Sequence, residues 1–201
     1  MTGSLSLGEL TEDLPEAIPA IDSETTGQYG DGLGSEDEER QLKLLVKHLC
    51  EMDERYGRLK REVGYPDRSG RCDLVLPSGM PVEAKLIRYW RANGDPEPTM
   101  YSHVFSPFHQ NTLLTDARRL HESTIADRSG LLGLFYTRAD EDSKAVSELP
   151  ERYTATDIAE KIVRDIDYWY GVNASVCNIS RFGGLQHTVH KQGAVLSFML
   201  Q

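Results

Sequence analysis

Apolar and polar residues alternate most cleanly over residues 71–86, Arg-Cys-Asp-Leu-Val-Leu-Pro-Ser-Gly-Met-Pro-Val-Glu-Ala-Lys-Leu. The pattern predicts two short strands around a Pro77-Ser78-Gly79 turn. Gly79 would take the positive φ that a three-residue hairpin loop needs. In that register Leu76 faces Met80, Leu74 faces Val82 and Asp73 faces Glu83. Side chains alternate faces along a strand. One face therefore carries Leu74, Leu76, Met80, Val82, Ala84 and Leu86, and the other carries Asp73, Val75, Pro81, Glu83 and Lys85. A two-residue turn would send Asp73 to the face opposite Glu83 and mix the core.

Helical spacing marks the flanks. Ser35 as cap, with Glu36 to Glu39 in the first turn, predicts a helix over 36–62 whose stripe is Leu42, Leu45, Leu49, Met52, Tyr56, Leu59 and Val63. Ser106-Pro107 predicts a second helix over 107–122, with Leu113, Leu114, Ala117 and Leu120 inward and Arg118 and Arg119 solvated. Gln110 falls on the inner face of that helix, where a polar side chain needs a partner. Residues 131–136, apolar throughout, read as a buried strand, so 74–86, 107–122 and 131–136 form a β-α-β crossover. After a charged loop over 138–153, Thr156 caps a helix over 157–170 on Ile158, Ile162, Ile166 and Trp169, stopped by Gly171. Strands follow at 174–180, 185–190 and 194–200. The whole is α/β.

Charge divides the chain. Of its net −10, residues 1–40 supply all, with eleven acids and one base, whereas the remaining 161 residues hold 21 of each. Residues 1–35, rich in Gly, Ser, Thr, Pro and acids, predict an acidic flexible tail ahead of one domain over 36–201. Leu7, Leu10, Leu14, Ile18 and Ile21 keep near-helical spacing there, interrupted by Pro15 and Pro19, which leaves a docking segment for a partner protein as the other reading. No apolar run reaches the ~18 residues of a membrane span, no basic-then-apolar start marks a secretory signal, and Cys50, Cys72 and Cys177 have no paired spacing. A cytoplasmic protein without membrane contact is expected. No phosphate-binding glycine loop and no Gly-x-Ser-x-Gly is present, so nucleotide-fuelled and serine-hydrolase chemistry have no support.

The chemistry lies in the hairpin. Two carboxylates directly opposite each other repel. A divalent cation removes the repulsion, and facing Cβ atoms ~5 Å apart suit two carboxylates sharing one Mg²⁺ at ~2.1 Å per oxygen. Lys85 points the same way and could orient a water or meet charge on a phosphate. The alternative is a cross-strand ion pair on a solvated face. Further on, Arg88, Tyr89, Trp90 and Arg91 interleave bases and aromatics as a strand-tracking surface would, although strand-edge charges look the same.

Asp73, nine residues, then Glu83-Ala84-Lys85 resembles the active-site hairpin of the PD-(D/E)XK nuclease superfamily, with its restriction-endonuclease-like mixed sheet flanked by helices. The resemblance implies a metal-dependent nuclease: Asp73 and Glu83 as ligands of Mg²⁺ or Mn²⁺, and Lys85 as helper of the attacking water. It also implies an acid from the preceding helix, for which Glu38 continues the Leu42–Leu45 stripe, and a glutamine from the following helix, for which Gln110 stands in place. Cys72 occupies the position where the family has proline. The literal Pro66-Asp67 pair makes Asp67 a rival first carboxylate, although it sits among turn residues. The implied substrate is nucleic acid, DNA first, in a restriction, defence or repair setting. A non-catalytic binding subunit of the same fold is the alternative. Target and oligomeric state stay open.

Overall fold

The structure is a computed structural model, which describes residues 5–27, 30–138 and 153–201. Helix α1 (Leu7–Glu24) opens the chain. A two-residue ladder, β1 (Thr26–Gly27) with β2 (Gly30–Asp31), and α2 (Glu38–Met52) follow. Then come β3 (Lys60–Gly64), β4 (Arg71–Val75), β5 (Pro81–Arg88), α3 (Met100–Phe105), α4 (Leu113–Glu122) and β6 (Ser129–Thr137). Helix α5 (Ala155–Tyr170), β7 (Ala174–Gly183) and β8 (Gln192–Leu200) close it. Strands β3 to β8 form one mixed sheet in the order β3-β4-β5-β6-β8-β7. Only β5 and β6 run parallel, joined through α3 and α4 as the expected crossover.

Helices cover both faces. On one, Leu10, Leu14 and Ile18 of α1 and Leu42 and Leu45 of α2 pack on Leu74, Val82, Ala84, Leu132 and Val195. On the other, Val104, Leu114 and Ile162, from α3, α4 and α5, pack on Ile87, Leu131, Phe135, Leu196 and Phe198. The adjacent residues Leu131 and Leu132 fall in opposite cores, as strand alternation requires.

The amino-terminal segment is no flexible tail. Residues 7–24 are a core helix, begun by a reciprocal cap between Ser6 and Glu9. Two internal prolines cost ~3 kcal/mol each. They sit four residues apart, off the buried stripe, so their lost hydrogen bonds fall on one side. Burying Leu7, Leu10, Leu14, Ile18 and Ile21 returns ~2 kcal/mol apiece, which outweighs that cost. Asp22 fastens the helix end, accepting from Leu33 N–H at 2.7 Å and Gln186 N–H at 2.6 Å.

Other boundaries move. The helix expected over 36–62 ends at Met52, is capped by Asp37 rather than Ser35, and gives way to edge strand β3. The helix expected from 107 begins at Leu113, behind a Thr112–Thr115 capping box. Thr154, not Thr156, caps α5. Residues 185–190 form a loop that buries Leu185, His187, Val189 and His190, instead of a strand. Tyr89 and Trp90 are core residues, with Trp90 6% exposed, so they offer no stacking surface. The neighbouring Arg88 donates to Gly34 and Glu36 carbonyls. Of the charged loop at 138–153, residues 139–152 lie outside the described residues.

Candidate active site

The hairpin register is the one the alternation demands. Leu74 pairs with Val82 and Val75 with Pro81, and Gly79 takes φ +88° in the turn. Leu76 N–H donates to Met80 O at 2.9 Å, closing the three-residue loop. The next position in the same register sets Asp73 against Glu83. There the backbone ladder stops and side chains replace it. Asp73 N–H donates to Glu83 Oε2 at 3.3 Å, and Asp73 Oδ2 accepts from Ala84 N–H at 2.7 Å. Two residues on, along the same β5 edge, Leu86 N–H donates to Glu38 Oε2 at 2.6 Å. The edge that β4 leaves open is thus covered by two carboxylates, one from β4 and one from the first residue of α2.

A tight charge cluster surrounds this opening. Glu83 is 2% exposed, and its Oε1 accepts from the Tyr65 hydroxyl at 2.5 Å and from Arg119 at 3.2 Å. Arg119 also meets Asp116 at 3.0 Å and Asn111 Oδ1 at 3.1 Å. Lys85 Nζ lies 3.2 Å from Glu38 and 3.7 Å from Asp116. Four carboxylates, Glu38, Asp73, Glu83 and Asp116, therefore face two cations, Lys85 and Arg119.

That imbalance shapes the protonation. Burial, then the charge of Glu83, pushes Asp73 up to about 8. Burial and Asp116 raise Glu83 as well. Asp116 rises to about 6, because burial outweighs the pull of Lys85 and Arg119. Burial works against the Lys85 charge, but Glu38 and Asp116 overcome it and hold the ammonium above its ordinary value. Burial and the bond to Glu83 keep the Tyr65 hydroxyl protonated, as a donor.

Carboxylate oxygens are the donor type a hard divalent ion takes. Among the described residues no group of three or more His, Cys, Asp or Glu side chains is arranged to hold a metal ion. Mg²⁺ needs none, since it keeps several waters and binds through one or two carboxylates plus phosphate. The observation in favour is the charge count: four carboxylates against two cations, with a proton on Asp73 relieving one of the two excess negative charges.

The hairpin brings together Asp73, Glu83 and Lys85, and α2 brings Glu38 to Lys85. Gln110 does not join them. It lies exposed in the turn before α4, because that helix starts three residues later. Asp67 is occupied elsewhere, accepting from Ser123 Oγ at 2.9 Å and Thr124 N–H at 3.2 Å at the far end of α4. Cys72 is buried, its thiol pushed up to about 12 chiefly by burial. Arg119, expected in solvent, is a member of the cluster. So is Asp116, which carried a readable signal: it lies three residues after Leu113 and four before Leu120, an acid on the apolar stripe. Tyr65 had no such mark.

No helix among the described residues is long and apolar enough to cross a membrane. No family model, no curated protein and no solved structure matches this chain.

Proposed function

We propose that this protein is a metal-dependent nuclease with a restriction-endonuclease-like core, hydrolysing phosphodiester bonds, in DNA first. The supporting observation is the break in the β4–β5 ladder, where Asp73 and Glu83 meet in a cluster of four carboxylates facing two cations, with Lys85 two residues on. Asp73 and Glu83 would hold Mg²⁺ or Mn²⁺. When bound, such an ion supplies Lewis-acid stabilisation of the phosphate and a more acidic water.

The chain's own groups divide the remaining work. Lys85 is an ammonium at neutral pH, so it donates to a water or a phosphate oxygen and takes no proton from either. Glu38, with its oxygens engaged by Lys85 and Leu86 N–H, positions that ammonium rather than adding a ligand. Tyr65 and Arg119 hold Glu83 in one orientation. The rival reading, a non-catalytic subunit docked through an acidic tail, loses its docking segment, because the apolar stripe of α1 is covered by the chain's own sheet.

The test is cleavage of plasmid, single-stranded DNA and RNA with Mg²⁺, Mn²⁺ or chelator. Metal-dependent cutting should vanish in Asp73→Ala, Glu83→Ala and Lys85→Ala separately. Full activity in any one, or none in the native protein, overturns the proposal.

A further inference from the structure

Large apolar side chains rarely gather on a surface without a use. Here three aromatics do. Phe108, 82% exposed, meets Trp169 edge to face with centroids 5.5 Å apart, and Trp169 meets Tyr168, 76% exposed, at 5.1 Å. Trp169 itself is 44% exposed, in the last turn of α5, where the buried stripe of Ile158, Ile162 and Ile166 runs out into solvent. The three rings come from the α3–α4 turn and the end of α5, so tertiary packing alone assembles them.

Phe108 is also a wall of a groove of about 760 Å³. That groove is lined by Arg68, Arg118 and Arg119 against a single carboxylate, Glu122, and it includes Gln110. On a chain of net charge −10 its lining holds three arginines against that one acid, with Asp67 behind Arg68 at 3.3 Å and Asp116 behind Arg119 at 3.0 Å. The groove adjoins the cluster, with Arg119 standing between the two and its guanidinium 3.2 Å from Glu83.

We infer that this groove and its aromatic rim bind single-stranded nucleic acid and lead it to the Asp73–Glu83 site. The inference deepens the nuclease reading and rests on it for the direction of the strand. Arginines follow a phosphate backbone, and exposed ring faces take unstacked bases, which a duplex keeps to itself. Gln110 then has a place as a polar wall of the substrate groove.

The test uses the full chain in chelator, so that nothing is cut, and reads tryptophan emission. The probes are oligodeoxyuridylate and oligouridylate of about twelve nucleotides, and a duplex of equal length. The chain has two tryptophans, and the other one, Trp90, is buried. Single strands should quench the emission, and Trp169→Phe should abolish the quench. Phe108→Ala, on a side chain too exposed to matter for folding, should weaken binding about tenfold. Arg118→Ala should weaken binding and flatten its salt dependence. The more strongly quenching strand identifies the sugar. No quench, duplex binding as tight as single-strand binding, or an unchanged Phe108→Ala overturns the inference. Quenching without any Mg²⁺-dependent cutting would instead keep the groove and sink the nuclease, and cutting that ignores Phe108 would do the reverse.

Discussion

The Asp73 backbone N–H donates to the carboxylate of Glu83 at 3.3 Å, where a strand pair would ordinarily continue its ladder. The sheet opens where two acids, Asp73 and Glu83, stand opposite each other. The reciprocal bond from Ala84 N–H to Asp73 turns that opening into a polar notch with fixed walls.

Asp73 makes metal-free stability depend on pH. Its folded value is raised to about 8, against ~3.9 in an unfolded chain. The folded state therefore keeps a proton that the unfolded chain has released. The associated stability is complete below about pH 4 and is lost as pH rises through about 8. Buried His190, held near about 4 by burial, acts in the opposite sense at the acid end. The readout is thus the difference in Tm between native protein and Asp73→Asn in chelator, which should grow in favour of the variant from pH 5 to 8. Mg²⁺ should raise the native Tm most at the alkaline end.

Lys85 neutralises two acids from different helices. Lys85→Met strands Glu38 and Asp116 and should cost about 3 kcal/mol in chemical denaturation. Adding Asp116→Asn should recover part of that loss, a coupling that a double-mutant cycle measures. Cleavage should fall about 100-fold or more in both variants, because restored stability does not restore the ammonium.

Tyr65→Phe removes a hydrogen bond to the charged form of Glu83. Its loss raises the proton affinity of Glu83 further. The acid limb of the pH–rate profile should therefore move to higher pH, with a stability loss of about 1–3 kcal/mol. Arg119 remains, so activity at alkaline pH should survive in part.

Helix α1 separates a core element from a tail by a simple measurement. Leu14→Ala and Ile18→Ala, both at buried positions, should each cost about 3 kcal/mol. Removal of residues 1–24 uncovers one face of the sheet and should give an aggregating or unfolded chain. An unchanged Tm after that deletion would restore the tail.

The elements that local pattern conceals share a physical cause. Strand β3, Lys-Arg-Glu-Val-Gly, is an edge strand whose residues stay half in water, so it has no hydrophobic alternation to find. Helix α1 was masked by prolines whose cost is local and visible, while its gain came from β7 and β8, more than 150 residues away. Trp90 and Tyr89 looked like a binding surface beside two arginines, yet an aromatic at a strand end goes inward when a helix roofs it, as α3 does here. Asp116 was legible in principle, because its position on an apolar stripe is a matter of spacing.

What the sequence determined by itself is the hairpin: its register, its turn and the sorting of Leu74, Val82 and Ala84 from Asp73, Glu83 and Lys85. Those follow from side-chain parity and one glycine, which are properties of neighbouring residues. Which groups complete the notch was decided only by tertiary structure. Glu38, Tyr65 and the α4 pair Asp116 and Arg119 come from three separate places in the chain, and each is there because helices and strands docked on apolar faces carried it in. Burial fixes where a helix lies, and the charges on its margins meet whatever partners that placement supplies.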